Sequence, residues 1–216
     1  MSGRAVIVSA GRVTDPERLR ARLRPRPDDR VIAADGGLAL ALAMGLRPER
    51  VVGDFDSLPG ERWPEVERLG AEVVRVPREK DETDTELAIR TALAWGCTEI
   101  VLVGGVGSRL DHSLANLFML ASLPPGVRGM LLDEQNEIHF LRSGEEVRLP
   151  ARPGAYLSLV PLTPEVTGVE AAGVRWPLQG ARLIWSASLG VSNEFTAPEA
   201  RVRVGSGCLA VVVAEE

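Results

Sequence analysis

EIVLVGGVGSRLDHSLANLFML, residues 99–120, holds the fold in miniature. The apolar run Ile100 to Val103 is continuous rather than alternating, as in a strand covered by helices on both faces. Glycines follow at 104, 105 and 107, and from His112 to Leu120 leucine and alanine recur at helical spacing. Strand, glycine-rich loop and helix together make one βα unit.

The same grammar extends upstream. Short apolar runs at Ala5 to Ser9, Val31 to Ala34, Val51 to Gly53 and Ala71 to Val76 alternate with helical patterns at Asp15 to Leu23, Leu38 to Met44 and Thr83 to Trp95. Gly45, Gly96 and the pair Pro124 and Pro125 punctuate them as helix stops. Residues 1–142 therefore read as an α/β domain with a mainly parallel open sheet flanked by helices. After short strands at Met130 to Leu132 and Ile138 to Leu141 the helical period vanishes. Ala155 to Leu162, Ala181 to Trp185, Ala200 to Val204 and Cys208 to Val213 read as antiparallel strands between frequent turns. Residues 143–216 are expected to form a small β-sandwich domain.

Composition narrows the function classes. A chain of 216 residues, 45% hydrophobic, can bury a sizeable core. Its net charge of −5 and lack of like-charge runs argue against a nucleic-acid or polybasic membrane partner, leaving a small molecule. No full-length leader and no apolar stretch long enough to span a bilayer is seen, so a cytoplasmic location is expected. Cys97 and Cys208 lack metal-ligand spacing and are expected as free, buried thiols. Of the 25 basic residues, Lys80 alone is lysine, and it directly precedes Asp81.

Ligands of open α/β sheets bind beyond the carboxyl ends of the strands, so the residues following each strand carry the chemistry. These are Asp35-Gly36-Gly37, then Asp54-Phe55-Asp56-Ser57, then Lys80-Asp81-Glu82-Thr83-Asp84, then the glycine loop with Arg109, Asp111 and His112. Asp54 and Asp56 are two apart, so extended backbone turns both carboxylates to one side, as magnesium requires of oxygen ligands. Turn formation explains that pair equally well in isolation. Thr83 and Glu86 have capping-box spacing, which accounts for one or two acidic groups near a helix start but not for Lys80. Arg109 can grip phosphate oxygens beside glycines that let phosphate approach the backbone. Asp111 also suits a helix cap, and His112 and Asn116 share a helix face where capping or core roles compete with ligand contact. His139 reads as structural.

The ordered set of these motifs resembles the thiamine pyrophosphokinase family. The resemblance continues in Val174-Arg175-Trp176-Pro177-Leu178 and Gly190-Val191-Ser192-Asn193-Glu194, and so covers most of the chain. One departure is Ser108, where a second glycine usually follows Gly107. The resemblance implies an α/β nucleotide domain joined to a thiamine-binding β-sandwich in a homodimer. The enzyme would transfer pyrophosphate from ATP to the hydroxyl of thiamine, yielding thiamine diphosphate and AMP. It implies a catalytic and Mg2+ site at Asp54, Asp56, Asp81 and Asp84, with Lys80 offsetting charge and Asp81 or Asp111 taking the hydroxyl proton. Asp35, Gly36, Gly37, Arg109, His112 and Asn116 would hold ATP. Trp176, Ser192 and Asn193 would hold thiamine, the indole stacking on its cation across the dimer interface. Two rival readings use the same acids: a magnesium-dependent phosphohydrolase and a non-catalytic sensor of nucleotide or thiamine.

Overall fold

The computed structural model describes residues 3–55 and 68–215. Its chain divides into two compact units, Met1–Glu134 and Gln135–Glu216.

In the first unit β1 (Gly3–Val8), β2 (Arg30–Ala34), β3 (Arg50–Gly53), β4 (Glu72–Arg75), β5 (Cys97–Val103) and β6 (Arg128–Leu132) alternate with helices. The helices are α1 (Pro16–Leu23), α2 (Gly37–Ala43), α3 (Asp84–Ala94) and α4 (Leu110–Ala121). The strands lie in the order β6-β5-β1-β2-β3-β4, all parallel. From β1 the chain winds outward through β2, β3 and β4, then returns to lay β5 on the opposite side of β1. The direction of winding thus reverses between β1 and β5, and there the loops beyond the strands part to leave a crevice. The expected burial holds: Ala5 to Val8 and Ile100 to Val103 are wholly inaccessible. Val6, Val8, Val101 and Val103 pack with Leu19, Leu23 and Met44 of the flanking helical segments.

Local chemistry sets the helix ends. Asp15 caps α1 by accepting from Arg18 N at 2.9 Å, with Pro16 preset for the first helical turn. Thr83 caps α3, its hydroxyl accepting from Glu86 N at 3.1 Å. Asp111 does not cap α4. The cap position is Arg109, without a side-chain capping bond, and Asp111 lies in the first turn.

The second unit is the expected antiparallel sandwich. β12 (Asn193–Glu194), β9 (Tyr156–Pro161), β14 (Cys208–Ala214) and β7 (Asn136–Arg142) lie side by side in that order. The facing sheet runs β11 (Leu178–Ile184), β10 (Glu165–Ala172), β13 (Glu199–Arg203) and β8 (Glu146–Pro150). Leu157, Leu159, Val211 and Val213 from one sheet and Val166, Val169, Leu183 and Val202 from the other share one core. The division between units falls before β7, not at residue 142, because β7 pairs antiparallel with β14 over its whole length. On β7, His139 Nε2 lies 2.7 Å from Glu137 of the same strand, whose carboxylate also pairs with Arg152. Cys97 and Cys208 are free, and burial pushes both thiols above their ordinary pKa.

Candidate active site

A cleft of about 360 Å³ occupies the crevice between the β1 and β5 ends. Its floor is main chain. Ser9 N donates to Val103 O at 2.9 Å, Gly11 N to Gly104 O at 2.8 Å and Arg12 N to Val106 O at 3.1 Å. A Cβ on Gly11 would collide with the carbonyls of Gly104 and Val106, and one on Gly37 with that of Val8. Both positions are glycine because backbone meets backbone there.

One wall is acidic. Asp35 sits just past β2 in the left-handed region at φ 43°, its N–H donating to Val52 O at 2.7 Å. Its Oδ1 is buried and accepts no hydrogen bond among the described residues, an arrangement that costs about 1–3 kcal/mol if left unanswered. Asp84, in the first turn of α3, forms an ion pair with Lys80 Nζ at 3.1 Å, and Lys80 also donates to Pro77 O. Burial, with added repulsion from Asp35 and Asp54, raises the Asp84 pKa despite the opposing pull of Lys80. Thr85, next along α3, shares a 2.8 Å hydrogen bond with Ser9, tying this wall to the end of β1.

Crowded carboxylates and an orphaned buried oxygen fit a hard cation, which relieves both. Among the described residues no three histidine, cysteine or acidic side chains close on one point.

The opposite wall is the glycine-rich loop, tied down by α4. Asn116 Nδ2 donates to Gly105 O at 2.7 Å from a buried position. Ser113 Oγ accepts from Gly107 N at 3.2 Å and donates to Arg109 O at 3.1 Å. Gly105 to Arg109 and His112 line the cleft. Arg109 is exposed and forked onto Asp111, with contacts of 2.6 and 3.2 Å, and this arginine holds the Asp111 carboxyl at about 2.

The second unit has its own concavity, about 320 Å³, lined by Trp176, Leu178 and the turn Ser188 to Asn193. Trp176 is 53% exposed, unusual for so large an apolar ring. Buried Asn193 accepts from Trp176 N at 3.0 Å and donates to Trp176 O at 2.8 Å, clasping that peptide on both sides. The Arg175 guanidinium lies 4.9 Å from the Trp176 ring centre and pairs with Glu194 at 3.1 Å.

Two sequence profiles match the chain: "Thiamin pyrophosphokinase, catalytic domain" over residues 26–128 and "Thiamin pyrophosphokinase, vitamin B1 binding domain" over residues 136–209. The chain belongs to the thiamin pyrophosphokinase family. A thiamine pyrophosphokinase of Bacillus subtilis is 27% identical over 182 residues, spanning 84% of this chain and 85% of that protein. A crystal structure of the Bacillus subtilis protein superposes with a TM-score of 0.88 at 23% identity, over 99% of each chain, and shows the shared fold. That of a family protein from Enterococcus faecalis has a TM-score of 0.80 at 28% identity, covering 99% of this chain and all of the other.

Within this family frame the motifs read from sequence fall into groups. Asp35, Lys80, Asp84, Arg109, His112 and Asn116 line the cleft, whereas Asp54 sits half-buried at the end of β3 and is felt there through its charge on Asp84. Gly36 and Gly37 start α2 beneath the floor. Asp81 and Asp111 are exposed and outside the cleft lining, and Asp56 lies outside the described residues. Trp176, Ser192 and Asn193 meet in the second concavity. Ser9, Gly11, Arg78, Thr85 and Ser113 also line the cleft, although the sequence reading did not single them out. Ser9 to Gly11 directly follow β1, so the search beyond strand ends, applied to the first strand too, finds them.

Proposed function

We infer that this enzyme transfers the pyrophosphoryl group of ATP to the hydroxyl of thiamine, releasing AMP. The observation that carries the reading is a cleft at the winding reversal with acidic and glycine-rich walls, in a chain matched by both profiles of one family. In the reaction the thiamine hydroxyl oxygen bonds to the β-phosphorus of ATP. The bond from that phosphorus to the oxygen bridging to the α-phosphate breaks, and the bridging oxygen leaves with AMP.

Such transfers depend mainly on positioning and charge neutralisation. We assign the triphosphate to the cleft, against the glycine-rich wall and gripped by Arg109 and Lys80, beside the positive N-terminal end of α4. Magnesium, held at the acidic wall by Asp84 and Asp35 with the charge of Asp54 nearby, would supply further neutralisation of phosphate charge. Asp111, held near 2 by Arg109, is a poor proton acceptor and serves to orient that arginine. Asp81 is the remaining acid of the pair considered for the hydroxyl proton. The Trp176 concavity is assigned to thiamine, whose flat cationic ring suits an indole face.

Incubation with thiamine, ATP and magnesium is expected to yield AMP and thiamine diphosphate in equal amounts. ADP as the nucleotide product would exclude pyrophosphoryl transfer. Thiamine-independent release would favour a phosphohydrolase, and binding without turnover a sensor.

We also propose a homodimer. Leu110, Leu114 and Phe118, four residues apart along α4, are 70%, 46% and 51% exposed, an apolar stripe of the kind that marks an interface. Sedimentation should give twice the chain mass, and the double variant Leu114→Glu, Phe118→Glu the mass of one chain. A wild-type particle of single-chain mass at micromolar concentration overturns the proposal.

A further inference from the structure

Glu134 follows β6 and belongs to none of the motifs above, yet it is a buried carboxylate, only 7% exposed. Its Oε1 accepts from Thr14 Oγ1 at 2.7 Å and from Asp15 N at 2.5 Å, and both its oxygens lie 3.1 Å from Thr14 N. All three donors belong to the loop joining β1 to α1. Burial opposes ionisation of Glu134, but these donors outweigh it and hold its pKa below the ordinary range.

A buried charge is an expensive way to pin a loop that only needs packing. The other end of this loop explains the expense. Ser9, Ala10 and Gly11 line the cleft, and the N–H groups of Gly11 and Arg12 hold the carbonyls of Gly104 and Val106. The loop is therefore fastened at two points, to the glycine-rich wall at one end and to Glu134 at the other. Three donors converge on Oε1, and Thr14 N also reaches Oε2, so a carboxylate, which brings no donor of its own, meets the loop without conflict at either oxygen.

We propose that Glu134 is a positioning residue for nucleotide binding: by gathering Thr14 and Asp15 it sets the path of the β1–α1 loop and thereby the glycine-rich wall. The proposal rests on the assignment of ATP to this cleft. Glu134→Gln keeps the shape but turns an amide NH2 toward donors. It is expected to raise the KM for ATP about tenfold while leaving the KM for thiamine within about twofold. Calorimetric titration with a non-hydrolysable ATP analogue should show the same loss of affinity. Thr14→Val, which removes a single donor, is expected to weaken analogue binding about threefold and guards against a Glu134→Gln chain that does not fold. Analogue affinity unchanged in the folded variants, with or without a lower melting temperature, overturns the proposal and leaves the ATP assignment intact. Failure of the wild-type protein to bind the analogue overturns that assignment, and the proposal with it.

Discussion

Asp84→Asn is expected to cut turnover by about two to four orders of magnitude while leaving the melting temperature unchanged or raised. The two halves of that result have one cause. The Asp84 pKa is raised in the folded protein, foremost by burial and then by the charges of Asp35 and Asp54, so folding works against its ionised form. A group with a raised carboxyl pKa makes the fold less stable as pH rises through its ordinary value, because the folded state keeps the proton longer. A neutral amide escapes that penalty. The loss at the helix start is modest, since a carboxylate in a first turn contributes about 0.3–1 kcal/mol and Thr83 still caps α3. Activity measured beside a thermal melt decides the matter. A variant that loses stability but keeps its rate would return Asp84 to the role of a helix-terminal charge.

Trp176→Ala is expected to raise the KM for thiamine about tenfold to a hundredfold, from about 1–3 kcal/mol of lost stacking and cation–π attraction. The KM for ATP should stay unchanged. Because the ring is half exposed and absent from the sandwich core, the melting temperature should move little. An unchanged KM for thiamine would instead make Trp176 an ordinary surface aromatic and would remove the neighbouring concavity from the substrate site.

The first unit was legible because its strands announce themselves: Ala5 to Val8 and Ile100 to Val103 are continuous apolar runs with glycine just beyond. The sandwich was legible only in part. β10 escaped because Gly168, at φ 63°, breaks the alternation, so that Val166 and Val169 both point inward although three residues apart. β8 is mostly charged or half-exposed, with Leu149 its one fully buried side chain, and offers little pattern to read. β7 looked like a last strand of the first unit because its partner, β14, lies some seventy residues further on. The same locality governs the site. Lys80 and Asp84 are four apart, and their pairing could be anticipated. The approach of Asp35 to Asp84 and the bond between Ser9 and Thr85 exist only once the sheet is wound. Asn116 and Asn193 each hold main chain as well as lining a concavity, one bonding Gly105 and the other clasping Trp176, contacts that no spacing in the sequence announces. Residue type marked these positions as polar and special, while the partner was decided by packing.

The floor of the cleft, where Gly11 meets Gly104 and Val106, separates what can vary from what cannot. A surface made of peptide groups has no side chains to exchange, so its shape is inherited unchanged whenever the glycines are kept. All chemical variety must then enter through the walls, on the loop before α3 and the first turns of α3 and α4. A different acceptor or a different polyphosphate could be accommodated by substitutions there, with the bed beneath them undisturbed. Relatives that diverge in specificity should accordingly differ along the rim and agree at the bottom.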